Sequence, residues 1–141
     1  MIAVRVKLLS PDVKTPGYAH PGDAGMDVYA NEDVTLQPGQ RHAVATGFAT
    51  EFPSDYVALV WDRSSMAVKK GIKTMAGVVD SGYRGEWKVV MINLGDEAVT
   101  IQKGDKIAQA IFQQFSAATI EVVEDLEDSS RGAGGFGSTG G

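Results

Sequence analysis

Residues 56–61 read YVALVW and residues 87–92 read WKVVMI. Both runs are rich in β-branched and aromatic side chains and have the length of a strand. Residues 107–115 and 119–123 form two further runs of this kind, and residues 4–8 alternate apolar with basic side chains, as a half-buried strand does. The sequence therefore predicts a chain built mainly from short strands.

Turn signals separate the strand-length runs. The segments QPGQ at residues 37–40, NLGD at residues 93–96 and KGDK at residues 103–106 carry the Gly, Pro, Asn and Asp residues that turns prefer. Many short strands at spacings of about 8–12 residues are typical of an all-β sandwich or barrel. We therefore predict an all-β domain.

One short helix is predicted within this pattern. It covers Ser64–Lys70, with Ser64 or Ser65 as its N-cap and Gly71 at its C-terminus. A helix of seven residues is not stable alone, so we expect it to be packed against the sheets. Lys69 and Lys70 are expected to be solvated charges at the helix end.

Composition excludes several functional classes. The chain has 141 residues, 43% of them hydrophobic and 22% charged, which is usual for one globular domain and not for a disordered chain. The net charge of -5 leaves no basic excess for binding a nucleic-acid backbone. No cysteine is present and histidine occurs twice, which excludes thiolate chemistry and makes a Ser-His-Asp triad a poor hypothesis. No run approaches a membrane span and no signal peptide is recognised, so a cytoplasmic, or otherwise intracellular, soluble protein is expected.

Acidic residues and glycine are unevenly distributed along the chain. Five of the 18 acidic residues lie in residues 121–128, and the other 13 balance the 13 basic residues. Six of the 17 glycines lie in the last eleven residues, where Phe136 is the single aromatic residue. Such a segment cannot form a core and is expected to be mobile unless a ligand binds it. We therefore predict one domain over residues 1–128 and a separate arm over residues 129–141.

Five stretches carry residues that could perform chemistry. They are AGMDV at 24–28, DRSSMA at 62–67, GVVDSGYRGE at 77–86, GDKIAQ at 104–109 and RGAGGFGSTG at 131–140. An arginine, two hydroxyls and helix N–H groups suit a phosphate, and a carboxylate beside a ring could orient a hydroxyl and a water. Each stretch also has a plain structural explanation: a turn aspartate, a helix cap, two hairpin turns and a disordered tail.

In this order and at these separations, the five stretches resemble the homotrimeric, all-β deoxyuridine triphosphatases, from about Val4 to the C-terminus. The resemblance implies a jelly-roll-like β-clip or barrel domain with one short helix, assembled as a homotrimer with shared active sites. It implies hydrolysis of dUTP to dUMP and pyrophosphate by Mg²⁺-assisted attack of water on the α-phosphorus. This reaction limits uracil in DNA and supplies dUMP for dTMP synthesis. The Mg²⁺ is expected to be held by substrate phosphates and water, with no protein ligand.

The resemblance also implies roles for single residues. Asp80 matches the carboxylate that holds the sugar 3′-hydroxyl and orients or deprotonates the attacking water, with Asp27 and Gln109 completing the catalytic set. Tyr83 matches the ring under the deoxyribose that excludes the 2′-hydroxyl of UTP. Main-chain groups of residues 74–83 are expected to read the uracil edge. The implied substrate-binding residues are Arg63, Ser64, Ser65, Gly77, Val79, Tyr83, Lys88, Arg131, Phe136, Gly137, Ser138 and Thr139.

Within that set, Arg63, Ser64 and Ser65 match phosphate ligands, and the arm supplies the groups that close over the substrate. Arg131, Ser138 and Thr139 are expected to bind the distal phosphates, and Phe136 to stack on uracil. Two other classes are alternatives: a dCTP deaminase of the same fold, and a non-catalytic nucleotide sensor or interaction protein. The intact GVVDSGYRGE stretch and the glycine-rich arm favour the triphosphatase. We expect the unusual Trp61-Asp62 pair and Trp87 to be packing differences without a part in the mechanism.

Overall fold

A computed structural model describes residues 1–136 of the chain, and residues 137–141 lie outside the description. The fold is all-β with one short helix, as predicted. No helix within the described residues is long and apolar enough to cross a membrane. In chain order, the elements are β1 (Arg5–Leu8), β2 (Met26–Tyr29), β3 (Val34–Leu36), β4 (Arg41–Ala45), β5 (Phe48–Glu51), β6 (Tyr56–Trp61), α1 (Ser64–Lys70), β7 (Ile72–Met75), β8 (Val78–Asp80), β9 (Lys88–Asn93), β10 (Val99–Ile101) and β11 (Lys106–Gln114).

The described strands form four antiparallel sheets. The largest has the order β2-β11-β6-β8, the next has the order β4-β9-β7, and β1-β5 and β10-β3 are two-stranded. The predicted strand over residues 56–61 is confirmed at both ends, and the runs at 87–92 and 107–115 are confirmed with a shift of one residue. β6 and β11 pair from Gln109↔Trp61 to Gln114↔Tyr56, which makes them the central pair of the largest sheet.

The core lies between these sheets and is almost entirely aliphatic and aromatic. Its most deeply buried large side chains include Phe48, Leu36, Ile72 and Met91. Trp87 is 2% exposed, with its ring centroid 5.2 Å from that of Phe48 and its indole Nε1 donating to Thr50 Oγ1 at 3.0 Å. A buried indole needs such a partner for its N–H. Trp87 is therefore a packing residue, as expected, and its having no part in the mechanism stays a prediction.

The helix α1 has the predicted bounds but a different cap. Ser64 is its first residue, and the N-cap is Arg63, which has extended backbone and makes no side-chain capping bond. The prediction that Ser64 or Ser65 caps the helix was wrong, and both hydroxyls are exposed at its first turn. Gly71 ends the helix in the left-handed conformation, with φ of 64°, as predicted. A side chain at Gly71 would also lie 2.8 Å from the backbone nitrogen of Gly95.

The predicted strand over residues 119–123 was wrong. This segment has no regular structure, and Ile120 and Val122 are exposed. Its β-branched side chains favour extended backbone, but a strand also needs a neighbour for its N–H and C=O groups. Within residues 1–136, no strand pairs with this segment.

Candidate active site

Strand register gathers three of the predicted stretches on one face of the largest sheet. Gln109 on β11 pairs with Asp27 on β2 and with Trp61 on β6. Directly paired residues lie on the same face of a sheet, a few ångströms apart. Arg63 is the second residue after the end of β6, so its side chain lies near these paired residues. We call Asp27, Arg63, Lys106 and Gln109 the charged cluster.

Asp27 is the centre of the charged cluster. The residue is 7% exposed, and Lys106 Nζ lies 2.6 Å from Oδ2, while Arg63 Nε lies 3.4 Å from Oδ1. A one-residue irregularity separates Lys106 from Ala108 in the pairing of β11 with β2, and such bulges re-aim side chains. A buried carboxylate is costly unless it is paired, and these two cations pair it.

Arg63 retains donors for a ligand. Its guanidinium makes two long contacts, to Asp27 and to the carbonyl of Lys106 at 3.3 Å. The group carries five N–H donors in a planar fork that matches phosphate oxygens. Ser64 and Ser65 follow directly, exposed at the first turn of α1. The local arrangement suits an anion with several oxygens.

Gln109 is held in place by the absence of a side chain at Gly25. Its amide Nε2 donates to the carbonyl of Asp62 at 2.8 Å. A Cβ built on Gly25 would lie 2.1 Å from Gln109 Oε1 and 3.0 Å from its Cδ. The glycine of the AGMDV stretch thus leaves the space that the Gln109 side chain occupies. This contact joins the first and fourth predicted stretches.

The third stretch forms a cleft of about 290 Å³ between two sheets. Five residues predicted to contact the substrate line it together: Gly77, Val79, Asp80, Tyr83 and Lys88. Val60 of β6 lines one side, and residues 86–90 at the start of β9 line the other.

The turn after β8 fixes the carboxylate and the ring of the cleft relative to each other. The N–H of Tyr83 donates to the carbonyl of Asp80 at 3.0 Å, and the Tyr83 hydroxyl donates to the carbonyl of Glu86 at 3.0 Å. A Cβ on Gly85 would lie 2.4 Å from the Tyr83 hydroxyl oxygen, so only glycine leaves room for the ring. The Asp80 carboxylate and about half of the Tyr83 side chain remain exposed.

Two strand edges meet at the cleft. β7 and β8 are each the outermost described strand of a sheet, and Ala76 and Gly77 connect them with φ of 59° and 106°. A Cβ on Gly77 would lie 2.7 Å from the carbonyl oxygen of Val60. Edge strands present N–H and C=O groups that their own sheet does not use. The cleft therefore offers main-chain hydrogen-bonding groups as well as side chains.

The charged cluster and the cleft lie apart within one chain. Asp80 pairs with Val57 near the start of β6, whereas Gln109 pairs with Trp61 at its end. Four residues of strand span about 13 Å. Arg131 and Phe136 are exposed, neither lines the cleft, and Arg131 Nε donates to the nearby carbonyl of Gly134 at 2.8 Å. The predictions for Gly137, Ser138 and Thr139 lie outside the described residues.

Sequence reasoning missed two residues of this region. Lys106 lies in the GDKIAQ stretch. The requirement that a buried Asp27 have a cationic partner could have indicated it. Asp62 was expected to be a packing difference, yet its carboxylate accepts three hydrogen bonds from β7. The half-exposed Trp61 beside it is not a core residue. Among residues 1–136, no group of three or more acidic or histidine side chains is placed to hold a metal ion.

Comparisons with known proteins point in one direction. A family-wide sequence profile described as dUTPase matches residues 12–140. The deoxyuridine 5′-triphosphate nucleotidohydrolase of Thermobifida fusca is 46% identical over 99% of this chain and 80% of its own, and that of Zymomonas mobilis is 51% identical over 89% and 87%. The dUTPase of Staphylococcus bacteriophage 80alpha, solved with dUpNHpp, superimposes with a TM-score of 0.91 at 29% identity, covering 98% of both chains. On these findings, together with the five stretches and the all-β fold, this chain belongs to the dUTPase family of enzymes.

Proposed function

We propose that this protein hydrolyses dUTP to dUMP and pyrophosphate. The observation that carries the proposal is the cleft, because Gly77, Val79, Asp80, Tyr83 and Lys88 all line it. The names of the curated relatives and the complex of the phage enzyme with a dUTP analogue support the same substrate. The reaction would lower dUTP, and so limit uracil in DNA, and would supply dUMP for dTMP synthesis.

The cleft accounts for selection of a deoxyuridine. Main-chain groups on the edges of β7 and β8 would read the donor and acceptor pattern of uracil, and the positive φ of Gly77 lets the backbone approach the base closely. The Tyr83 ring would pack under the deoxyribose and collide with a 2′-hydroxyl. Discrimination against UTP would then come from repulsion as much as from attraction.

The chemical step is attack of water on the α-phosphorus. The water oxygen forms a bond to the α-phosphorus while the bond from that phosphorus to the α,β-bridging oxygen breaks, and pyrophosphate leaves with the bridging oxygen. One water proton passes to the Asp80 carboxylate and then to solvent. Asp80 would also accept a hydrogen bond from the sugar 3′-hydroxyl. Its exposed position on the cleft suits both roles.

The charged cluster would bind the triphosphate. Arg63 has unused N–H donors, and Ser64 would reach the α,β-bridging oxygen, where negative charge develops as the bond breaks. Ser65 and Gln109 would contact phosphate and water beside it. Asp27 would act through Arg63, which it contacts at 3.4 Å. Phosphoryl transfer depends mainly on positioning and charge stabilisation of this kind.

We propose Mg²⁺ as the cofactor, carried into the site on the triphosphate. Both oxygens of the Asp27 carboxylate already contact a cation, Lys106 or Arg63. The site therefore suits a metal that is bound by phosphate oxygens and water rather than by this carboxylate. When bound, Mg²⁺ would neutralise charge on the triphosphate. A dUTPase of phage phi11, 25% identical to this chain with a TM-score of 0.83, is described with a coordinated structural Mg(II) ion.

We propose a homotrimer with shared active sites. The charged cluster and the cleft lie on different parts of one protomer, so a neighbouring protomer would bring its cleft to the cluster. The arm, residues 129–141, would close over the bound nucleotide. Phe136 would stack on uracil, and the distal phosphates would be bound by Arg131, Ser138 and Thr139. Closure would exclude water during the reaction, and opening would release product.

Pyrophosphate release from dUTP, with dTTP, dCTP and UTP as matched controls, tests the proposal. We expect release from dUTP alone at comparable substrate concentrations. Ammonia release from dCTP with dUTP left intact would refute the proposal in favour of a deaminase. Tight dUTP binding without turnover would indicate a nucleotide sensor instead.

A further inference from the structure

Asp62 lies between the last residue of β6 and the N-cap of α1. Its backbone carbonyl and its side-chain carboxylate contact different parts of the molecule. Its backbone carbonyl accepts the hydrogen bond from Gln109 Nε2 at 2.8 Å. Its side chain points the other way, towards β7. One residue thus contacts both the charged cluster and the strand that leads into the cleft.

The side chain of Asp62 fixes the middle of β7. Oδ1 accepts hydrogen bonds from the N–H and the hydroxyl of Thr74, at 2.6 and 2.5 Å, and Oδ2 lies 2.6 Å from Lys73 Nζ. Thr74 is 8% exposed, so its donors have little access to water. Because its N–H points to Asp62, β7 is anchored along the edge that β9 does not use.

The anchored strand leads directly into the lining of the cleft. Met75 follows Thr74, and Ala76 and Gly77 then turn the chain into β8 with two successive positive φ angles. Met75, Ala76 and Gly77 all line the cleft. Any shift of Thr74 would therefore move the main-chain groups that face a bound base.

The Asp62 carboxylate is ionised at neutral pH, which suits it to hold Thr74 and Lys73 in place. Burial works against its ionisation, but hydrogen bonds from Lys73 and Thr74 outweigh that effect and lower the pKa of Asp62. An ionised carboxylate accepts stronger hydrogen bonds than a neutral group.

We infer that Asp62 is a positioning residue for nucleoside recognition, which fixes β7 so that the main-chain groups of Ala76 and the N–H of Gly77 face the base, while the Gly77 carbonyl accepts a hydrogen bond from the N–H of Val60. The inference rests on the proposed function, because it assigns the nucleoside to this cleft. On the proposed assignment, phosphate binding should not depend on the Asp62 side chain, since Gln109 contacts the backbone carbonyl of Asp62. Loss of the carboxylate should therefore weaken nucleoside binding and leave phosphate binding unchanged.

The test compares Asp62→Ala with Asp62→Asn. We expect Asp62→Ala to raise KM for dUTP and the Kd of dUMP about tenfold, equivalent to about 1.4 kcal/mol, with kcat changed less than about threefold. Competitive inhibition by pyrophosphate should be unchanged. Asp62→Asn keeps an oxygen for Thr74 and should restore most of the dUMP affinity, and Lys73→Met, which removes only the ion pair, should behave likewise.

Equal weakening of dUMP and pyrophosphate binding would overturn the inference, as would a loss of stability with unchanged KM and dUMP affinity. If Asp62→Ala does not fold, Thr74→Val removes one of the hydrogen bonds at nearly constant volume, and it should raise the dUMP Kd about threefold. Unchanged dUMP binding in that variant would also overturn the inference.

A ligand-independent measurement separates this inference from the proposed function. Absence of pyrophosphate release from dUTP by the wild type would refute the proposed function alone. Amide hydrogen exchange of residues 74–80 should still be at least tenfold faster in Asp62→Ala than in wild type, with exchange in β11 unchanged. Equal exchange rates in residues 74–80 would refute the anchoring role whatever the substrate.

Discussion

The charged cluster and the cleft are built in opposite ways. In the cluster, side chains hold one another: Lys106 and Arg63 contact Asp27, and Gln109 packs over Gly25. In the cleft, backbone geometry determines most of the arrangement, because Gly77 and Gly85 allow close contacts that a side chain would block. The cluster is thus pre-organised before a ligand binds, whereas the cleft presents an exposed carboxylate and ring on a shaped backbone. Substitutions should therefore affect the two regions differently.

The largest effect should come from the cleft carboxylate. Asp80→Asn keeps the size of the side chain but removes the base, so kcat should fall about 10²–10⁴-fold, the range of general-base catalysis. Binding of dUMP should change little, because the amide still accepts a hydrogen bond from the sugar. Steady-state kinetics and calorimetry of dUMP binding measure the two quantities.

The control for Asp80→Asn is Asp96→Asn, which removes one exposed carboxylate that does not line the cleft. It should have wild-type kinetics. A kcat for Asp80→Asn within threefold of wild type would show that the cleft carboxylate is not the base, and would remove the main chemical contrast between the two regions.

The second prediction concerns the packing of the charged cluster. Gly25→Ala places a methyl group where Gln109 Oε1 lies, so the amide must move. We expect kcat/KM for dUTP to fall about 10–100-fold, as misplacement by about 1 Å can do, while the free energy of unfolding changes by about 1 kcal/mol or less. Kinetics and urea unfolding check this expectation.

Gly17→Ala is the matched control, because Gly17 pairs with Asp27 through its backbone and a Cβ there meets nothing within 4 Å. It should retain activity within about threefold of wild type. If both variants lose activity equally, the effect arises from backbone changes near Asp27 and the Gln109 contact is not the cause.

The same contrast explains what could be predicted from the sequence. Period-two patterning and turn residues predicted the all-β class and four of the eleven described strands, β1, β6, β9 and β11, because both signals are local. The five residues of the cleft that the sequence predicted are close along the chain, from Gly77 to Lys88, so their grouping in space is mostly local. The strand prediction for residues 119–123 was wrong, because a strand also depends on a pairing partner that its own residues cannot specify.

The contacts of the charged cluster could not be read from local patterns. Lys106 and Asp27 are far apart in sequence, and the bulge in β11 decides that the amine reaches the carboxylate. The side-chain contacts of Asp62 likewise depend on β7 lying beside the end of β6. Register between distant strands sets such contacts, and one sequence contains no direct signal for it. The general requirement that a buried carboxylate be paired was the available clue.

A third prediction tests whether the ring of the cleft selects by its shape. Tyr83→Ala removes the surface that would collide with a 2′-hydroxyl, so the ratio of kcat/KM for dUTP over UTP should fall about tenfold or more. Tyr83→Phe keeps the ring and loses only the hydrogen bond to Glu86, so its ratio should stay within threefold of wild type. An unchanged ratio in Tyr83→Ala would assign the discrimination to the backbone of the cleft.

The smallest effect is expected at Asp62, which contacts both Gln109 and β7, in the pH dependence of stability. The pKa of Asp62 is lower in the folded protein than the ordinary value of 3.8. Its ionised form therefore stabilises the fold above about pH 4, and this contribution is lost as the pH falls through the lowered pKa. Asp62→Asn has no such group, so it should be about 1 kcal/mol less stable than wild type at pH 7. The difference should shrink progressively as the pH falls below about 4 in urea unfolding. A difference that stays constant over this range would mean that the ionised carboxylate adds nothing to the anchoring of β7, and that its shape alone holds the strand.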